Sequence, residues 1–118
     1  MNIDEVIRAH VAWKSKLAAY LAKPDGSIKI ADTVSDRKCE LGRWIYGEGS
    51  KFASLPEFAQ LKKDHAQFHI AAAGIVRRAD HGESLSRDLA LGADSEFVTA
   101  SRAVSNTLFR IKPKIESK

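Results

Sequence analysis

The chain reads as all-α, most simply an antiparallel four-helix bundle with a short additional helix. Three observations predict that class. Gly and Pro are sparse, 7 and 3 in 118 residues, while Ala, Leu, Lys, Glu and Arg abound, a balance that favours helix. Three long stretches carry apolar residues at helical spacing. The segments between them are short and made of turn residues. The length suits a single domain over 1–118 with one unstapled core. There are no repeats, low-complexity stretches or composition breaks to divide it.

The first helix is announced by Asn2, a fair N-cap, with Glu5 three residues on as a capping box places it. Its stripe is Ile3, Val6, Ile7, Trp13, Leu17 and Leu21, with His10 at the centre. Pro24-Asp25-Gly26 stops it. Residues 27–34 alternate like a strand without a second strand to pair with, so an extended or loosely helical connector is expected. Ser35 or Asp36 then caps a short helix to about Tyr46 that carries Cys39, Gly42 and Trp44, with Gly47 as a left-handed terminator. Lys51 to Ser54 suit one further turn. Pro56 opens the long central helix at or near its first position, and the pattern runs to about Asp80, where His81-Gly82 closes it. A last helix starts near Ser84 with a kink or interruption at Gly92. Its stripe is Phe97, Ala100, Val104, Leu108 and Ile111, and Pro113 ends regular helix although Ile115 keeps the period.

Composition narrows the function. The net charge of +4 comes from separated pairs (Arg37-Lys38, Lys62-Lys63, Arg77-Arg78) with acidic residues between them. Such dispersion predicts a solvated helical surface and no nucleic-acid binding. The N-terminus has Asn2, Asp4 and Glu5 and no apolar signal-peptide core. No run approaches the roughly 18 apolar residues of a membrane span. A single cysteine cannot form an internal disulfide, which fits a reducing, cytoplasmic setting.

The chemistry sits on His65 and His69. Four residues apart, they share one helical face with Phe58, Leu61, Phe68, Ala72, Val76 and Ala79. Buried imidazoles are costly unless their nitrogens are satisfied, and two of them on one face present two nitrogens to one point, where a divalent metal is the usual occupant. Alone, His10 reads as a satisfied core histidine and Cys39 as an inert buried thiol. Four ligand-type residues on three buried helices change that reading. Three imidazoles and one thiolate suit tetrahedral zinc, and the lack of carboxylates argues against magnesium, calcium and di-iron. If all four positions are protein atoms, no site remains for an activated water, and hydrolysis is not expected. His81, beside Gly82 and well round the helix, is left outside the site as a C-terminal residue favourable with the helix dipole.

Those residues carry a resemblance. His10-Val11-Ala12-Trp13-Lys14, then Cys39-Glu40-Leu41-Gly42-Arg43-Trp44-Ile45-Tyr46, then Leu61 with His65-Ala66-Gln67-Phe68-His69 resemble, in order and spacing, the chemoreceptor zinc-binding (CZB) family. The stretch from Phe97 through Ser101 to Leu108 is similar to that family's last helix. The resemblance implies a bacterial, cytoplasmic, all-helical zinc module with no enzymatic activity, attached to chemoreceptors or diguanylate cyclases in cis or trans. It implies a homodimer, and zinc held by His10, Cys39, His65 and His69. It also implies a response to hypochlorous acid at the zinc-bound cysteine. The absence of an output domain departs from the family's usual pattern and implies a stand-alone member or the sensory piece of a longer protein.

Two expectations follow from physical chemistry. Ligation needs Cys39 as thiolate and the histidines neutral, so affinity falls on acidification. The short Cys39 helix, anchored mainly by Leu41, Trp44 and Ile45, is the element to be released when Cys39 is oxidised. The alternatives are a metal-free helical interaction module and a hemerythrin-like di-iron carrier. The second needs more histidines and core carboxylates than this chain offers.

Overall fold

The computed structural model describes residues 2–82, 90–93 and 95–116, and no strand occurs among them. The elements are α1 (Ile3–Ala22), α2 (Ile30–Val34), α3 (Glu40–Ile45), a 3-10 turn (Glu48–Phe52), α4 (Pro56–Asp80) and α5 (Glu96–Glu116). The expected helical class holds.

Local chemistry sets the ends of the long helices. Asn2 Oδ1 accepts from the Glu5 N–H at 3.0 Å, satisfying one of the free donors of the first turn. Pro56 occupies the first turn of α4, where its missing N–H costs nothing. The helix closes through His81 and Gly82, whose φ of +71° favours glycine. For α5, Ser95 Oγ accepts from the Val98 N–H at 3.2 Å. The interruption expected at Gly92 is present, since Ala90 and Leu91 are helical and Gly92 is not. The expected start near Ser84 lies outside the described residues.

α4 is the centre of the molecule and packs against α5, α1 and α2, while α1 also packs against α5. Leu17, Leu61, Phe68, Val76, Phe97, Val104, Leu108 and Ile111 are buried from all three long helices. Within the α1 stripe, Ile3, Val6, His10 and Leu17 are buried, and Ile7, Trp13 and Leu21 pack at its rim. Tyr20, absent from the expected stripe, is also buried. Its hydroxyl donates to Asp80 Oδ1 at 2.5 Å and accepts from the Gly26 N–H, pinning the end of α1 to the end of α4.

The connector takes the helical of its two expected forms, and three other local expectations are corrected. Residues 30–34 are helical, because Ile30 packs on the core and Thr33 is buried against α4. The Cys39 helix begins at Glu40, so Cys39 is its N-cap and not a member of the helix. Gly47 is not left-handed (φ −122°). It is close to the Arg43 carbonyl oxygen, which a Cβ would meet at 2.7 Å, so space and not φ requires glycine there. Finally, α5 continues through Pro113. One ladder bond is lost, but buried Ile111, core-packed Ile115 and an ion pair from Lys114 to Glu57 on α4 hold the last turn.

Candidate metal centre

Three elements deliver the side chains. His10 lies on the buried face of α1, one turn after Val6, and is 4% exposed. His65 and His69 project from one face of α4 and are 0% and 3% exposed. Cys39 reaches them from the head of α3 and is half-buried. The four expected residues thus converge: one ligand atom from each lies within 4.8 Å of the others. His81 is exposed at the end of α4 and is not in the cluster.

The inner contacts are short. His65 Nε2 lies 3.1 Å from Cys39 Sγ and 3.0 Å from His69 Nε2, and His69 Nε2 lies 3.6 Å from Cys39 Sγ. Tetrahedral zinc with bonds of about 2.0–2.3 Å places ligand atoms roughly 3.3–3.6 Å apart, close to this spacing. The rings stand edge to face, with His10 at 5.3 Å from His65 and 5.0 Å from Phe68 between centroids. Phe68 packs in turn on Phe97 of α5, so the last helix walls the site without entering it.

Backbone groups fix which nitrogen faces inward. His10 Nδ1 lies 2.9 Å from the Val6 carbonyl and His69 Nδ1 lies 2.8 Å from the Thr33 carbonyl. A carbonyl can only accept, so both Nδ1 atoms carry the hydrogen and both Nε2 atoms carry a lone pair. Thr33 sits in the last turn of α2, where carbonyls lack helical partners. His69 supplies one. On the sulfur side, the Gly42 N–H donates to Cys39 Sγ at 3.3 Å.

Among the described residues, two buried side-chain nitrogens have no hydrogen-bond partner: His10 Nε2 and His65 Nδ1. His10 Nε2 is a lone pair in a buried interior, a costly arrangement that a cation at the centre of the cluster would relieve. The donor set fits zinc on the same ground. It holds three nitrogens and one sulfur, with no carboxylate.

The electrostatics agree. Burial lowers the pKa of all three histidines, His65 furthest, to about 3, with His69 and His10 adding to the effect there. Neutral imidazoles are the form a metal requires. Burial also raises the Cys39 pKa, against the lowering effect of the Gly42 and Leu41 N–H groups. A cation in the cluster would reverse that and favour the thiolate.

Sequence reasoning found the four inner residues and missed those that orient them. Val6 and Thr33 act through carbonyls, which every residue has, so nothing in their identity marks them. Gly42 belonged to the motif without a role. Its backbone approaches Asp36 so closely that a Cβ would lie 1.9 Å from the Asp36 carbonyl oxygen.

Among the described residues, no helix is long and apolar enough to cross a membrane. No curated protein and no solved structure matches the chain. A family model does: that of the chemoreceptor zinc-binding domain matches residues 10–76, more than half the length and a span that holds all four clustered residues.

Proposed function

The chain belongs to the chemoreceptor zinc-binding family, and on that premise we propose that it is a sensory module of bacterial signalling in which His10, Cys39, His65 and His69 hold one zinc ion. The ligand assignment is carried by one observation, the convergence of four donor atoms from α1, α4 and the head of α3 within 4.8 Å. When bound, the metal ties these elements together and, with four protein ligands, leaves no open position for substrate chemistry. That supports a regulatory role and not catalysis.

The signal in this proposal is zinc itself, an oxidant such as hypochlorous acid, or both, with Cys39 as the redox switch. The Cys39 thiolate attacks the chlorine of hypochlorous acid, forming an S–Cl bond as the Cl–O bond breaks and hydroxide leaves, and water then displaces chloride to form the S–O bond. The sulfur loses two electrons, the chlorine gains them, and the product is the sulfenic acid. A sulfenic acid is a poorer ligand than a thiolate, so α3 loses its tie to the α4 histidines and is left with buried Leu41 and Ile45 and with Trp44, stacked on Phe52 and tilted against Phe58. The rest of the proposal follows the family: a cytoplasmic homodimer of antiparallel four-helix bundles, passing the state of α3 to a chemoreceptor or diguanylate cyclase output in cis or in trans.

The metal-free interaction module is opposed by the unpartnered His10 Nε2, and the di-iron carrier by the lack of a carboxylate in the cluster. Zinc stoichiometry and affinity, measured before and after mild hypochlorite treatment, test the reading. About one zinc per chain is expected at first, with loss after treatment. Metal-free protein purified without chelators would overturn the zinc site. Unchanged affinity with Cys39 demonstrably oxidised would overturn the switch.

A further inference from the structure

The loop that carries Cys39 is closed on itself by a contact outside the metal cluster. Tyr46, which caps the C-terminus of α3, lies ten positions after Asp36, and its hydroxyl donates to Asp36 Oδ2 at 2.7 Å. The Tyr46 N–H bonds the Gly42 carbonyl at 3.1 Å. The Gly42 backbone is pressed on the Asp36 carbonyl so closely that only glycine fits, and its N–H holds Cys39 Sγ. Asp36, Gly42 and Tyr46 therefore form one closed ring of contacts, and Cys39 is held to it through the Gly42 N–H.

Two cations lie against the same aromatic ring. Arg37, from the loop, has its guanidinium carbon 3.9 Å from the Tyr46 centroid, and Lys62 has its ammonium 4.9 Å away. Lys62 is on α4, three residues before His65, so the ring also joins the loop to the helix that supplies two of the histidines. Cation–π contacts of this kind are modest. A hydrogen bond to a carboxylate is stronger and more directional.

We propose that Tyr46 is a positioning residue for the metal centre: its hydroxyl, held by Asp36, latches the Cys39 loop shut and so sets how long the metal stays and how readily the thiol is reached. The first half rests on the zinc reading above, while the second does not. Cys39 is half-buried, and reagents reach it fully only when the loop opens. Opening breaks the Tyr46–Asp36 bond, whereas the α4 histidines need not move. Local opening of this kind is governed by the few contacts that hold the segment.

Tyr46→Phe keeps the ring and both cation contacts and removes only the hydroxyl. Asp36→Asn weakens the same bond from the other side. The experiment measures zinc release to a chromogenic chelator from the zinc-loaded protein, and alkylation of Cys39 by iodoacetamide in the zinc-free protein, for wild type, both single variants and the double variant. Each single variant is expected to raise both rates on the order of tenfold, the scale of one charge-assisted hydrogen bond. The double variant is expected to be no faster than the faster single one, which a general loss of stability would not produce. Wild-type rates in both single variants, or effects that multiply in the double variant, overturn the latch. A wild type that carries no zinc instead overturns the zinc reading, and the alkylation arm still decides the latch.

Discussion

His69 and Thr33 are joined by a hydrogen bond of 2.8 Å from Nδ1 to the backbone carbonyl, so the central helix is tied to a five-residue helix by a ring whose other nitrogen faces Cys39. One imidazole thus couples α2 to the metal cluster. Removing zinc should loosen this side of the molecule before the long helices. Amide hydrogen exchange in the presence of a chelator is expected to rise in residues 30–45 well before it rises in α4. Equal rises in both segments would show that the site unfolds only with the whole domain.

Cys39→Ala removes one of the four proposed ligands and leaves the buried faces of the three long helices intact. Zinc affinity is expected to fall by roughly 100-fold or more, beyond the 10–100-fold typical of outer partners of a metal site. The helical circular dichroism should stay near that of the wild type. Unchanged affinity in a competition titration would mark Cys39 as a core thiol and not a ligand.

The metal-free protein should be most stable between neutral and mildly alkaline pH. Each cluster histidine has a folded pKa below its ordinary value, so the unfolded chain binds more protons as pH falls below about 6.5. Stability therefore rises with pH over that range, and for His65 the loss continues down to about 3. Cys39 acts at the other end. Its raised pKa means that the unfolded chain deprotonates first, so stability falls as pH climbs through the alkaline range. Thermal melts in chelator across pH 4–10 check both arms, and a flat acid arm would refute the burial of the histidines. Zinc affinity should also weaken on acidification, because protons compete for the same nitrogens.

Two glycines should respond in opposite ways to alanine. Gly74, in the middle of α4, has open space where a Cβ would go, so Gly74→Ala is expected to stabilise by about 0.4–1 kcal/mol through helix propensity and chain entropy. Gly42→Ala collides with the Asp36 carbonyl and should displace the head of α3, speeding zinc release. Denaturant melts and chelator competition on the pair separate stability from retention.

Leu108 of α5 is fully buried and is not one of the four clustered residues. Leu108→Ala should cost about 2–5 kcal/mol in the metal-free protein while leaving zinc stoichiometry unchanged. A loss of zinc in a still-folded variant would mean that α5 positions the site directly.

What could be read from the chain alone was whatever repeats along one helix. The stripes on α1, α4 and α5 follow from local periodicity, and His10, His65 and His69 stood out because polar rings at buried register positions need a reason. Their partnership with Cys39 was legible because ligand chemistry is written in residue type. The local errors share a cause. Pro113 and Gly47 were judged by intrinsic preference, whereas Ile111, Ile115, Lys114 and the Arg43 carbonyl decided those positions through contacts distant in sequence or close in space. Cys39 proved to cap its helix, which turns its sulfur both to the Gly42 N–H and to the histidines. Only the tertiary structure could supply the orienting shell, because Val6 and Thr33 use backbone carbonyls and Tyr46 uses a carboxylate ten residues away. Periodicity names the atoms that must be buried. Which nitrogen of His69 faces the centre is set by a carbonyl it meets only when the helices pack, whereas His10 is oriented by its own helix and the sulfur by its own loop.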